Sequence, residues 1–153
     1  MNILFVCTGN TCRSSMAEAL FKDILEKKER DLNINVKSAG IYAMEGSPAT
    51  RQAIDVMKNR NIDLTKHKSK LITNNMINSA DLILTMTSSH KDALLKIKPD
   101  IYNKVFTLKE YANVNSNIDI MDPYGMPVAE YEKTAKEIKE AIVKTLEKIK
   151  NKE

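Results

Sequence analysis

Asn2-Ile3-Leu4-Phe5-Val6-Cys7-Thr8-Gly9-Asn10-Thr11-Cys12-Arg13-Ser14 runs from an apolar stretch through a short polar loop into a helical pattern. That helix extends from Ser14 to about Arg30, with Met16, Leu20, Phe21, Ile24 and Leu25 on one face. A buried strand that turns tightly into a helix aims several backbone N–H groups and the positive end of the helix dipole at one point, where an oxyanion binds. Cys7 and Arg13 bracket the loop. The thiol is placed as a nucleophile, and the guanidinium offers planar donors that grip two phosphate oxygens at once. Gly9 is expected to let the backbone come close, and Asn10 to accept a left-handed conformation. The candidate phosphate-binding residues are thus Thr8, Gly9, Asn10, Thr11, Cys12, Arg13 and Ser14. Ser14 reads as an N-cap whose hydroxyl, in this setting, also reaches the sulfur.

Outward from this unit, strands and helices alternate. Asn35 to Ser38 reads as a second strand ending at Ala39-Gly40, and Ser47-Pro48 as the start of a helix through about Arg60, with Ser47 as cap and Ala53, Ile54 and Met57 inward. Asp81 to Met86 reads as a third strand, Ser89 to Lys98 as a helix ended by Pro99, and Lys104 to Leu108 as a fourth strand. From Val128 to Lys150, apolar positions recur every three or four residues at Val128, Tyr131, Ala135, Ile138, Ile142, Leu146 and Ile149, which predicts a long helix packed on the sheet. Such alternation implies a parallel sheet covered on both faces, with ligands bound beyond the carboxyl ends of its strands, where Cys7 lies.

A chain of 153 residues with 42% hydrophobic content suffices for one core, so residues 1–153 are expected to form a single domain. The net charge of +4 comes from interspersed Lys and Arg, with no block of like charge; it suits an anionic substrate and gives no nucleic-acid signature. No apolar run approaches the roughly 18 residues of a membrane span, and the N-terminus reads as a strand where a signal peptide would carry a basic segment. The expectation is a cytoplasmic protein without membrane partners. Cys7 and Cys12 would be kept reduced there, which disfavours a permanent disulfide and leaves a reversible redox role open. With His67 and His90 the only histidines, no metal site is expected and no cofactor is implied.

The loop, with Met16-Ala17-Glu18-Ala19 after it and Asp122-Pro123-Tyr124-Gly125 far downstream, resembles the low-molecular-weight protein tyrosine phosphatase family. The likeness extends through Ser38-Ala39-Gly40, Ile62-Asp63-Leu64 with His67, the third strand and Val105-Phe106-Thr107-Leu108, and so covers nearly the whole chain. It implies a Rossmann-like three-layer α/β/α sandwich around a four-stranded parallel sheet. It also implies a two-step hydrolysis through phosphocysteine, with Cys7, Arg13 and Asp122 as the catalytic residues and phosphorylated proteins as substrates of a monomeric enzyme. Asp122 would be the general acid; Asp119 is close by but lacks the following proline. By the same resemblance Asn10, Ser14, Ser38 and His67 support the loop through hydrogen bonds, and Cys12 resolves oxidised Cys7 as a disulfide. His90, near a helix start, reads as locally structural.

Thr11 stands where many tyrosine-specific members carry a bulky aliphatic residue. Together with Phe106-Thr107-Leu108-Lys109-Glu110-Tyr111 and Gly125, it resembles the bacterial protein arginine phosphatase branch. Threonine offers a hydroxyl to a polar guanidino group, where an aliphatic side chain would pack on a phenyl ring. Thr11, Tyr124 and Tyr42 are therefore candidate specificity residues, with phosphotyrosine as the alternative substrate. Ser15 occupies a position that is often proline in relatives, and leaves the loop's reactive groups in place. An arsenate reductase on this fold would need cysteines outside the loop, and none exists. A cysteine phosphocarrier has no need of Arg13 in this register or of Asp122-Pro123. A phosphopeptide-binding or redox-sensing module would not need nucleophile, arginine and acid together.

Overall fold

The computed structural model describes residues 1–114 and 116–152. Its elements are β1 (Asn2–Cys7), α1 (Arg13–Lys28), β2 (Asn35–Gly40), α2 (Arg51–Lys58), α3 (Asn74–Ser79), β3 (Leu82–Thr85), α4 (Ser88–Ile97), β4 (Val105–Thr107), α5 (Leu108–Tyr111) and α6 (Val128–Asn151). The four strands form one parallel sheet in the order β2-β1-β3-β4. β1 is buried from Ile3 onward because both faces of this sheet are covered, so the strand reads as a continuous apolar run.

Alternation along β1 feeds two cores. Ile3, Phe5 and Cys7 point into a layer with Met16, Leu20 and Phe21 of α1, Val56 and Met57 of α2, and Tyr131, Ile138 and Ile142 of α6. Leu4 and Val6 point the other way, onto Ile77 of α3 and Leu94 of α4. The expected three-layer α/β/α sandwich follows directly. The rings of Phe5 and Phe21 meet at 6.0 Å with a tilt of 55°, and replacing a buried Phe by Ala would cost about 3–5 kcal/mol. Against the sequence expectation, α6 packs chiefly on α1, α2 and α5, and through them shares the core of the sheet. No helix among the described residues is long and apolar enough to cross a membrane.

Several boundaries differ from those the sequence suggested. The second helix does not start at Ser47-Pro48: the Ser47 N–H donates to Ser69 Oγ and its carbonyl accepts from the Ser69 N–H, so this segment is held as loop. Thr50 caps the helix instead, its hydroxyl accepting from the Ala53 N–H. The fourth strand is only Val105–Thr107, because Thr107 and Glu110 form a reciprocal capping box that turns Leu108 into α5. The short α3, capped by Thr73, adds a six-residue helix that is too short for a hydrophobic period to emerge. Pro99 ends α4 as expected and also opens a single 3-10 turn, Pro99–Ile101.

The register sets the site. Cys7, the last residue of β1, lies opposite Gly40, the last of β2, so both strands discharge into the same loop cluster. A Cβ on Gly40 would lie 2.4 Å from the Thr8 carbonyl oxygen and 3.0 Å from the Asn10 nitrogen. The close approach expected of Gly9 is thus made by Gly40. A Cβ on Gly9 would merely touch Thr11 Oγ1 at 3.6 Å, and Gly9 has no positive φ.

Candidate active site

Residues 7 to 14 are held from three sides by backbone hydrogen bonds. The Cys7 and Thr8 carbonyls accept from the N–H groups of Ile41 and Tyr42, at 2.9 and 3.0 Å, and the Thr11 carbonyl accepts from the Thr50 N–H at 3.0 Å. The loop is therefore tied to the sheet edge and to the start of α2.

Asn10 organises the interior. Its φ of 58° is the left-handed turn the sequence suggested, and its side chain is fully buried. Nδ2 donates to Ser14 Oγ at 2.8 Å and to Ser38 Oγ at 2.9 Å, while Oδ1 accepts from the Lys70 N–H at 3.0 Å. His67 Nε2 donates to the Asn10 carbonyl at 2.7 Å, which fixes the proton on that ring nitrogen. Asn10, Ser14, Ser38 and His67 thus form one network. Glu18, which the sequence did not single out, extends it by accepting from Ser38 Oγ at 2.5 Å.

The outcome reaches Cys7. Ser14 Oγ accepts from Asn10 and lies 2.8 Å from Cys7 Sγ, to which its proton donates when the sulfur is a thiolate, and the Asn10 N–H approaches the same sulfur at 3.3 Å. A donor hydroxyl and a donor amide aimed at a strand-end sulfur beside a helix start are the surroundings in which a thiolate acts as nucleophile or leaving group.

Arg13 is almost fully buried. Nη1 donates to the Ile120 carbonyl at 2.9 Å and Nη2 lies 3.5 Å from Asp122 Oδ2. Asp122 itself is half exposed, and its Oδ1 accepts from the Tyr124 N–H at 3.1 Å in a local turn. Ile120 also donates its N–H to the Met86 carbonyl just after β3. Asp119, the nearby alternative to Asp122, faces elsewhere: it accepts from the Ser88 N–H at 2.8 Å at the start of α4.

Cys7, Thr8, Gly9, Thr11, Cys12, Arg13, Asp122 and Tyr124 surround a cleft of about 220 Å³. Asn10 and Ser14 stand behind it with their side chains turned inward. Tyr124 is 69% exposed on the cleft wall. Tyr42, 82% exposed, does not line the cleft; only its backbone is tied to the loop. No group of three or more His, Cys, Asp or Glu side chains among the described residues is gathered to hold a metal ion.

Cys12 is a buried free thiol beside Tyr131 Oη at 3.5 Å and Thr50 Oγ1 at 3.9 Å. Burial pushes its pKa up, against the opposing pull of these hydroxyls, and burial likewise pushes Tyr131 up to about 12. His90, read from sequence as locally structural, reaches the loop: Nε2 meets Thr8 Oγ1 at 2.9 Å. No sequence signal could have joined residues 82 positions apart. Thr50 replaces the expected cap Ser47, and its contact with Cys12 likewise comes only from the fold.

The sequence matches the model of the family described as low molecular weight phosphotyrosine protein phosphatase over residues 2–153. It is 44% identical over 142 residues to the protein-arginine-phosphatase of Bacillus subtilis, covering 93% of this chain and 92% of that one. It is 35% identical to the low molecular weight protein-tyrosine-phosphatase PtpB of Staphylococcus aureus, covering 94% and 96%. Among solved structures, a YwlE arginine phosphatase C7S mutant with a phosphorylated active site serine superposes with a TM-score of 0.91 at 42% identity, covering 98% of this chain and 96% of that one. The likeness read from the loop, the Asp122-Pro123 pair and the strands between them therefore holds over the whole fold, and the chain belongs to the low molecular weight phosphotyrosine protein phosphatase family.

Proposed function

We propose that this protein hydrolyses phosphoarginine side chains of proteins through a phosphocysteine intermediate. The Cys7 thiolate attacks phosphorus in line; the S–P bond forms as the P–N bond breaks, and Asp122 gives its proton to the departing guanidino nitrogen. Water then attacks phosphorus while Asp122 takes its proton, the P–S bond breaks, and inorganic phosphate leaves with the Cys7 thiolate restored. Arg13 and the loop amides hold the non-bridging oxygens as charge spreads over them.

The observation that carries this reading is the Cys7 sulfur at the cleft, with the Ser14 hydroxyl and the Asn10 N–H directed at it and Arg13 and Asp122 beside it. Thr11 on the cleft wall supports the arginine assignment by offering a hydroxyl where an aliphatic residue would favour a phenyl ring. The arginine-phosphatase relatives support it too, including the one whose active-site serine is phosphorylated. Phosphotyrosine is the second reading, favoured by the exposed Tyr124 ring on the same wall.

Measuring kcat/KM on phosphoarginine and phosphotyrosine peptides for wild type and Thr11→Ile decides between them. The wild type should favour phosphoarginine and Thr11→Ile should shift toward phosphotyrosine; a wild type that prefers phosphotyrosine removes the arginine assignment. Phosphate release by Cys7→Ser would remove the cysteine mechanism. The same reading makes the protein a cytoplasmic monomer, which should elute near its 17.3 kDa mass. It also makes Cys12 the resolving thiol: an oxidant such as peroxide converts Cys7 to the sulfenic acid, and Cys12 condenses with it, releasing water and forming a disulfide that a dithiol reductant reopens.

A further inference from the structure

We propose that the Thr8 hydroxyl is an additional phosphate donor and that His90 is the positioning residue that turns its proton into the cleft. This rests on the reading of the cleft as a phosphate site. The two ring nitrogens of His90 face two threonine hydroxyls, Thr8 Oγ1 from Nε2 at 2.9 Å and Thr87 Oγ1 from Nδ1 at 3.0 Å.

A neutral imidazole has one donor and one acceptor, so the assignment of its proton decides what Thr8 can do. Burial, then the positive charge of Arg13, push the His90 pKa down to about 4, so the ring is neutral at physiological pH. Thr87 Oγ1 already accepts from the His90 N–H as the cap of α4. The only acceptor for its own proton among the described residues is His90 Nδ1. Nδ1 is therefore the acceptor, Nε2 carries the proton, and Nε2 donates to Thr8 Oγ1. With Nε2–H donating to its oxygen, the Thr8 hydroxyl keeps its own proton and has no acceptor for it among the described residues except what enters the cleft that it lines. The opposite tautomer would spend the Thr8 proton on His90 and leave the Thr87 hydroxyl without an acceptor among the described residues.

The chain Thr87 to His90 to Thr8 thus adds a side-chain donor to the backbone amides and Arg13. A hydrogen bond to a charged oxygen at this half-open position is worth about tenfold in affinity. Titration calorimetry with inorganic phosphate reads it without turnover, so it stands or falls separately from the phosphatase reading.

Thr8→Val should bind phosphate about tenfold more weakly, while Thr8→Ser stays within about twofold of wild type. His90→Leu should lose a comparable factor, and the double variant should bind no more weakly than Thr8→Val, because both changes remove the same bond. In turnover the loss should fall on KM more than on kcat. Equal phosphate affinity for wild type and Thr8→Val, or losses that multiply in the double variant, would overturn the inference. If His90→Leu does not fold, the contrast between Thr8→Val and Thr8→Ser decides it. Phosphate binding with this pattern but no hydrolysis of any phosphorylated peptide would refute the enzyme and leave the donor in place.

Discussion

Asp119 accepts the backbone N–H of Ser88 at 2.8 Å, and so ties the segment that carries Asp122 to the start of α4. Two aspartates three positions apart therefore do different work. Asp119→Ala should cost about 1 kcal/mol of stability, as losing a helix-terminal acceptor does, and lower kcat only by displacing its neighbour. Asp122→Asn should leave stability near wild type and lower kcat on the order of a hundredfold, most for substrates with poor leaving groups. If Asp119→Ala proved the more damaging to kcat with stability intact, the acid assignment would move to Asp119.

Gly40→Ala should damage the site from a residue outside it. The new methyl would face backbone oxygen and nitrogen of Thr8 and Asn10, which cannot rotate away. Denaturant unfolding should show a loss of about 1–3 kcal/mol, and kcat/KM should fall with it. A Gly9→Ala protein as stable as wild type would complete the contrast.

The two cysteines should separate by reactivity. Iodoacetamide near pH 7 should alkylate Cys7, with inorganic phosphate protecting it, and leave Cys12 unmodified, since burial raises the Cys12 pKa and keeps it a thiol. After mild peroxide treatment, dithiol reductant should restore wild-type activity and should restore much less in Cys12→Ser. Equal recovery would remove Cys12 from the redox role.

His90 should make the protein less stable in mild acid. Its folded pKa, about 4, lies below the unfolded value of 6.5, so between these values the unfolded chain binds the extra proton. Stability contributed by the neutral ring is thus full above about pH 6.5, declines as pH falls toward 4, and is lost below that. The total is ~3 kcal/mol at about 1.4 kcal/mol per pKa unit. Chemical denaturation at pH 7, 5.5 and 4 should show this slope, and His90→Gln should flatten it.

The residues whose roles were legible are those whose chemistry is local. Strand, loop and helix from Asn2 onward can be read because the apolar run, the Cys7 to Arg13 spacing and the period of α1 lie in one stretch, and α6 can be read because its period repeats over 24 residues. α3 and α5 are too short for a period to emerge, although the Thr107 and Glu110 capping box was there to be seen. Ser47-Pro48 looked like a helix start because nothing local reveals that Ser69 occupies the Ser47 backbone groups. Within the site, the left-handed turn at Asn10 and the reach of the Ser14 hydroxyl to Cys7 are legible in the loop itself, whereas the network that joins them to Ser38 and His67 comes from the family likeness. Glu18, Thr50 and His90 joined only through contacts that the fold creates.

Ile120 gives its N–H to Met86 and its carbonyl to Arg13. A long side chain with about 2 kcal/mol of rotamer entropy is thereby immobilised when the chain folds, before any phosphoryl group arrives. On the proposed reading of the cleft, the guanidinium would meet its ligand already aligned, so the ordering cost would fall on folding and more of each contact with the anion would appear as binding and rate. The main-chain carbonyl of an ordinary isoleucine, rather than any side chain of the signature, sets that alignment.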